Sequence, residues 1–463
     1  MNYLLGIDLG SSSVKVSLVN HQTGAIVGSA HYPETEAPIK ALRAGWAEQS
    51  PSDWYDYVRE ALRLLWTQTN SYIVNRSIVN ISAIGISYQM HGLVCVDAEG
   101  KVLRDAIIWC DSRATQYGTN FTAGKLRWVK DNEPDIYART AKIMLPGDYI
   151  AYRLTGEILT SESGFSEMYW DDALGLDRAK LPTIVPSFSM QGRVTAEAAA
   201  DLGLAEGTPV TYRGGDQPNN ALSLNVMREG EIAATGGTSG VVYGITTGKE
   251  ADPLARINNF VHVNGLTGIM LCLNCTGILN AWMRRTVAPE GISYAEMNEL
   301  METVPVGAEG VSILPFGNGA ERMLQNREVG CSIHGINFNR HTKAHLLRAA
   351  QEAIAFSFAY GIEIMQQTGV KVQIIKAGYA NLFLSPLFRR TLSAVTGATI
   401  ELYETDGAAG AARGAGIGVG IYKNADEAFA SLRLMATEHP VADNTAYMEA
   451  YRRWVDLMTK MTK

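Results

Sequence analysis

"GIDLGSSSVK" (residues 6–15) places an acid, a turn glycine, three consecutive hydroxyls and a cation within one short stretch. It overlaps a short apolar run, "YLLGI" (3–7), which suits a strand buried on both faces, and Gly10 ends that strand with a turn. Asp8 is thereby carried to the mouth of the strand. From Ser13 onward "SVKVSLV" alternates, with Val14, Val16 and Leu18 on one face and Ser13, Lys15 and Ser17 on the other. "NHQTG" (20–24) reads as a hairpin loop and "AIVGSAHY" as a further strand, so the expectation is a three-stranded meander. Backbone N–H groups and hydroxyls converging in its first turn are donors for an anion, and Lys15 adds positive charge. An acid beside such an anion suits Mg²⁺, which takes a carboxylate together with waters and phosphate oxygens.

A Gly-Ser turn standing alone reads equally well as a turn and nothing more. A second copy changes the weighing: "EIAATGGTSGVVYGIT" (231–246) again runs from strand through a Gly/Thr/Ser turn into strand. It begins near the midpoint of a 463-residue chain, a length that fits two sizeable domains. The expectation is an internal duplication, with domains at 1–228 and 229–463 and one phosphate-gripping hairpin in each.

The net charge of −7 and the lack of any Lys/Arg block exclude nucleic acid and an anionic membrane surface as expected partners, leaving a small molecule. No apolar stretch approaches the roughly 20 residues that span a bilayer, and the N-terminus carries no secretory pattern, so a cytoplasmic protein is expected. The five cysteines make no disulfide framework, and "CLNC" (272–275) lies in apolar surroundings without partner ligands, so it reads as buried, inert thiols. Neither a P-loop nor a placed dinucleotide fingerprint occurs. "GAGIGVG" (414–420) comes nearest, but after "DGAAGAAR" it reads as a small-residue helix that packs closely.

"VTYRGG" (210–215) reads as a strand ending in two glycines, followed by a helix with Pro218 in its first turn. Asp216 then falls at the helix N-cap. A cap and a catalytic carboxylate are compatible roles, since a helix N-terminus favours the ionised form, which can accept a hydroxyl proton. Further on, "VQIIKAG" (372–378), "SPLFRRTLSAVTG" (385–397) and "TIELYE" (399–404) alternate strand, helix, strand, which puts the loop after Gly378 at a strand's carboxyl end, where ligands bind. "TAYMEAYRRWVDLMTKM" (445–461) is an amphipathic helix that packs on its own domain.

"GIDLGSSSVK" resembles the first phosphate motif of the actin-like ATPases. "TAGKLRWVKDN" (122–132), "NEPDIYARTAKIMLPGDYIAYRLTGE" (132–157), "VTYRGGDQPNNALSL" (210–224) and "GCSIHGINFNRHTKAHLLRAAQEAIAF" (330–356) then follow in the order found in the FGGY carbohydrate kinases. The resemblance covers nearly the whole chain. It implies an α/β fold of two actin-like (ribonuclease H-like) domains, mixed sheets flanked by helices, with the active site in the interdomain cleft, and ATP and Mg²⁺ as cofactors. It further implies Asp216 as the catalytic base, Asp8 and Asp216 as the metal carboxylates, Ser11, Ser12, Ser13 and Lys15 facing the transferring phosphate, and Gly237 and Thr238 gripping the nucleotide. The adenosine loop corresponds to "AGYANLFLSPLF" (377–388), with Gly378 and Asn381 as its candidate contacts and apparent extra residues. The small residue that usually opens the last signature is Cys331.

The sugar end is read from "SYQMHGLV" (87–94), which brings Gln89, Met90 and His91 to a loop. A lone His is often structural, but Met-His-Gly resembles the xylulokinases within FGGY, where the His contacts the sugar; gluconate-type relatives carry Met-His-Ser. "AIIWCDSRA" (106–114) places Trp109, Asp111 and Arg113 on the same side, with a surface ion pair as the equal alternative for the last two. Gln217 stands where xylulokinases commonly have Asn. The expected activity is ATP-dependent phosphorylation of a pentulose, D-xylulose first, with ribulose, gluconate or another polyol as alternatives and a nucleotide-switched binding protein as a remote one. A homodimer is compatible with this reading, and nothing in the sequence selects it.

Overall fold

The opening stretch forms the meander that its pattern predicts. Strands Tyr3–Leu9, Val14–Asn20 and Ile26–Tyr32 pair antiparallel in sequence order. The first is buried along its length except at Asp8. Strand Ile81–Tyr88 adds parallel to its other side and Val210–Gly215 adds parallel beyond that, completing a five-stranded sheet. The computed structural model describes residues 2–69, 80–248 and 251–462.

The second half repeats this plan. Strands Gly230–Gly236, Gly240–Thr246 and Thr267–Leu273 pair antiparallel in order, and Val372–Gly378 and then Thr399–Glu404 add parallel on the other side of the first. Asn258–Val261 and Arg433–Glu438 extend the two edges to seven strands. The duplication suggested by two hairpin motifs therefore extends over two complete five-strand sheets of identical order and direction.

Each sheet is covered by helices that the sequence marks. Helix Pro51–Thr69 starts behind Ser50, whose hydroxyl accepts from the Asp53 N–H at 3.3 Å, and buries Trp54, Val58, Leu62 and Leu65. Helix Pro386–Thr396 is capped by Ser385 and ends at Gly397 with φ 70°. The C-terminal helix, Thr445–Met461, buries Tyr447, Ala450, Tyr451, Trp454 and Met458 on one stripe. No helix among the described residues is long and apolar enough to cross a membrane.

Helix Gly407–Gly418 is the small-residue helix expected of "DGAAGAAR" and "GAGIGVG", ending two residues before the latter does, ahead of Gly420 with φ 80°. A Cβ on Gly6 would lie 1.7 Å from the Ala408 carbonyl oxygen, and one on Gly85 2.0 Å from that of Ala411. Strand and helix backbones therefore touch, and only glycine fits at those two strand positions. This contact governs the domain division. The chain forms two compact units, one of Met1–Asn225, Val261–Gly265 and Thr405–Leu432 and the other of the remaining segments. Instead of a single break at 228, the chain returns to its first unit after residue 404, because the glycine grooves that receive the helix lie on the first sheet.

Candidate active site

Three adjacent parallel strands of the first unit end side by side. Asp8 lies opposite Ser87, and Tyr88 opposite Gly215, so Asp8, the Gln89–His91 loop and Asp216 are gathered at the strands' carboxyl ends, the usual ligand position in such sheets. Asp216 opens helix Asp216–Ser223 as its first residue; Gly215, not Asp216, occupies the N-cap, and no side chain caps it. The extended ψ of 156° at Gly215 completes the strand before the helix starts, which moves the acid one position inward from the expected cap. It still stands in the first turn, where the helix dipole favours negative charge.

Burial pushes the Asp216 carboxyl up to about 7; the charge of Asp8 adds to this, while the Gln217 amide and backbone N–H oppose it. Asp8 is raised in the same way, chiefly by burial, with the Ser87 hydroxyl pulling it down, Asp406 pushing it up and Lys15 pulling it down. A Cβ on Gly407 would come within 2.3 Å of the Asp8 carboxylate, so glycine there keeps the space beside that acid open. Gln217 Oε1 is buried and has no hydrogen-bond partner, so it remains an acceptor for a ligand donor.

The hydroxyl-rich turn is closed by the Gly10 N–H donating to the Ser13 carbonyl at 3.0 Å. Its backbone is pinned from outside, by Gln49 Nε2 on the Ser11 carbonyl at 2.7 Å and by the Ala37 N–H on that of Ser12 at 2.7 Å. Lys15, aimed at phosphate by the sequence, has its ammonium on Asp406 at 2.9 Å.

In the Gln89–His91 loop, Met90 packs against Gly215, where a Cβ would lie 2.5 Å from the Met90 side chain. His91 has φ 61°, a left-handed backbone rare for its residue type. Its ring meets Phe121 edge-on at 4.5 Å, and Phe121 stacks on Tyr169 at 4.1 Å. Trp109 is half exposed, with its indole N–H 3.4 Å from the Ser11 hydroxyl. Asp111 and Arg113 form an interior pair and not a surface one. The Asp111 carboxylate accepts from the Ala47 N–H at 2.6 Å and from Arg113, and Arg113 also reaches Glu48 at 2.7 Å and lies 3.9 Å over the Trp46 ring. With its oxygens engaged inside the fold, Asp111 braces the Trp109 loop and does not present a free acceptor. The pairing of the two is legible in the sequence, but their burial is not, because the residues that enclose them come from 46–48.

Two further buried charges escape motif reading. Lys125, within the "TAGKLRWVKDN" helix, is fully buried, and burial lowers its ammonium to about 7 despite the nearby Asp111. Glu167, also buried, lies beside Asp216, and burial together with that acid holds its carboxyl well above the usual range.

The second unit holds a cavity of about 560 Å³ beside its own hairpin turn, lined by Gly237, Thr238 and Asn381 among others, a volume in the range of small-ligand sites. The extra residues of the adenosine loop form a 3₁₀ turn, Asn381–Leu384, that buries Leu382 and Phe383 and leaves Asn381 and Ser385 on the cavity wall. Gly378 ends the preceding strand and is not part of the lining. The sequence missed helix Gly277–Thr286, which contributes Gly277, Ile278, Asn280 and Arg285. Thr276 ties it to the hairpin by donating to the Gly237 and Thr238 carbonyls at 3.1 Å each. The usable signal was "CTGILN", set aside with its cysteines; Cys275 is buried and Cys272 half-buried.

Among the described residues no group of three or more His, Cys, Asp or Glu is arranged to hold a metal. Mg²⁺ does not require such a cage, since one or two carboxylates with waters and phosphate oxygens suffice. Asp8 and Asp216, two carboxyls gathered at the carboxyl ends of neighbouring strands, the first raising the proton affinity of the second, fit that requirement.

Duplicated mixed sheets of this order, with a hydroxyl-rich hairpin in one unit and a glycine hairpin beside a cavity in the other, define a two-domain fold of the actin-like class. The N-terminal domain model of the FGGY family of carbohydrate kinases matches residues 3–122 and 115–223, and the C-terminal domain model matches 232–418. The chain belongs to the FGGY family of carbohydrate kinases, for which ATP is the implied phosphate donor. It is 30% identical to a xylulose kinase of Bacillus subtilis, over 99% of this chain and 96% of that one. The structure of a xylulose kinase from Rhodospirillum rubrum aligns with TM-score 0.89 and 25% identity, covering 99% of both chains. A gluconate kinase from Lactobacillus acidophilus aligns with TM-score 0.90 but only 20% identity, over 100% of this chain and 98% of that one, a likeness of fold alone.

Proposed function

We propose that this carbohydrate kinase transfers the γ-phosphoryl group of ATP to the 5-hydroxyl of D-xylulose, with Asp216 as the base. The observation that carries the reading is the Asp216 carboxyl, poised near 7 at a strand mouth, with Met90 packed against the glycine before it and His91 next in the loop. A base of that proton affinity can take a hydroxyl proton at neutral pH and release it afterwards. The similarity to xylulose kinases over the whole chain supports the choice of sugar.

Met90, His91, Trp109 and Gln217 bind the ketose, Gln217 through its unpartnered Oε1. Asp111 holds the Trp109 loop. Gly237, Thr238 and Asn381 hold the nucleotide on the second unit. The sugar oxygen attacks the γ-phosphorus as its proton passes to Asp216; the bond from that phosphorus to the bridging oxygen breaks, and ADP leaves with the electron pair. Ser11–Ser13 and Lys15 receive the charge on the moving phosphoryl oxygens. Mg²⁺ carried by Asp8 and Asp216 would neutralise phosphate charge. With ATP as co-substrate and five free cysteines, the cytoplasm is the compartment this reading assigns.

The test is ADP release under Mg·ATP across D-xylulose, L-xylulose, D-ribulose, L-ribulose, D-gluconate and glycerol, for wild type and Asp216→Ala. D-xylulose-dependent turnover, lost in the variant by roughly 10²–10⁴-fold, is expected. Preference for another compound overturns the sugar, and turnover indifferent to both sugar and Asp216 overturns the mechanism.

A further inference from the structure

The FGGY-like segment 122–132 contains a lysine that the mechanism above does not use. Lys125 lies with 0% exposure on helix Thr122–Asn132, and its ammonium donates to the His91 carbonyl at 2.7 Å. One turn earlier the Thr122 hydroxyl donates to the Gly92 carbonyl at 3.3 Å, so this helix holds two successive carbonyls of the sugar loop. From the other side Glu167, 1% exposed at the end of helix Glu162–Glu167, takes the remaining handles. Its carbonyl lies 3.2 Å from His91 Nδ1, and its carboxylate is 3.5 Å from the His91 N–H. The same carboxylate packs against Gly215, 2.8 Å from where a Cβ would sit. Glu167 therefore spans from the His91 backbone to the residue preceding Asp216.

Burying an ammonium and a carboxyl is costly, and among the described residues neither forms a close ion pair that would make the cost a matter of stability alone. The two groups instead meet the backbone of one residue whose φ of 61° is itself unfavourable, the Glu167 carboxyl with Tyr88 as a further partner. We propose that Lys125 and Glu167 are a positioning pair that locks His91 in its left-handed turn beside Asp216, and so set the affinity for sugar without touching it. This inference rests on the reading that His91 meets the sugar.

The test is a calorimetric Kd for D-xylulose and the KM values for sugar and ATP, on the full chain, for Lys125→Met, Glu167→Gln, His91→Ala and the Lys125→Met/His91→Ala pair. Methionine matches the lysine stem and removes only the charged donor. Either Lys125→Met or Glu167→Gln should weaken sugar binding about tenfold, with ATP KM within about twofold of wild type. In the His91→Ala background Lys125→Met should add less than about twofold, because its effect passes through His91. Equal changes in both KM values, or losses that add in the double variant, would overturn the pair as a positioning device. If Lys125→Met does not fold, Glu167→Gln, which keeps its shape, must show the sugar-only effect by itself. A wild type without sugar-dependent turnover overturns the kinase reading and this inference together, whereas an active wild type with unaltered variants overturns the inference alone.

Discussion

Lys15, from the first hairpin, and Asp406, from the last quarter of the chain, meet at 2.9 Å beside Asp8. Asp406 at the same time caps helix Gly407–Gly418 by accepting from the Ala409 N–H at 2.7 Å. One carboxylate thus anchors the helix and holds the Lys15 ammonium. Asp406→Ser keeps a capping oxygen but frees Lys15, whereas Asp406→Ala removes both functions. In urea melts the alanine variant should be less stable than the serine variant by about 1 kcal/mol. Both should shift KM for Mg·ATP in the same direction, since both release the lysine.

The rate should depend on Asp216 being ionised. With its carboxyl pushed up to about 7, kcat/KM for sugar should rise with pH through that value and level off above it. Asp216→Asn should abolish this limb along with most of the activity. A profile flat from pH 5 to about 9 would count against Asp216 as the base.

The same group predicts a stability effect of opposite sense. Its carboxyl rises from an ordinary 3.8 to about 7 on folding, so across that window the folded protein holds a proton that the unfolded chain has lost. Stability therefore falls as pH rises through the window and is lowest above it. Without divalent cation, Asp216→Asn should melt above the wild type at pH 8, and the gap should close towards pH 4, as read by calorimetry.

Gly6 and Gly85 are close-approach positions. A methyl group on either meets helix backbone at 1.7 Å and 2.0 Å, and no side-chain rotation relieves that. Gly85→Ala should lower stability by about 3 kcal/mol or more, or yield insoluble protein. A substitution at Gly378, where nothing lies within 4 Å of an added Cβ, should cost far less.

Asn381 lines the cavity of the second unit with φ 54°. Asn381→Gly keeps that backbone and loses only the amide, while Asn381→Ala loses the amide and also strains the turn. KM for ATP should rise several-fold in both, more in the alanine variant, with sugar KM unchanged. Equal effects on both substrates would show that the residue acts on the fold and not on the nucleotide.

Much of this site was visible as local pattern. The alternation after Ser13 requires a strand beyond a hydroxyl turn, and Gly214-Gly215 before Asp216 requires a strand to end where a helix begins. Other features depend on residues far apart in sequence. The hold of Ala47 on Asp111, the capture of Lys15 by Asp406 and the contacts of Lys125 and Glu167 with His91 each join segments that no periodicity connects. The N-cap position at Gly215 differed by one residue, because the strand's last extended peptide uses the glycine that pattern alone assigns to the turn.

By itself the sequence determined two duplicated hairpins, most of the strands around them and the acid that follows the strand ending in two glycines, because each follows from spacing and turn chemistry within a few residues. Only the tertiary structure decided the division into units and the charge of the site. The helix after Asp406 lies against the first sheet because glycines at 6 and 85 leave its backbone room there. The proton affinities of Asp8, Asp216, Glu167 and Lys125 are set by burial and by neighbouring charges, quantities that arise only when distant segments exclude water together.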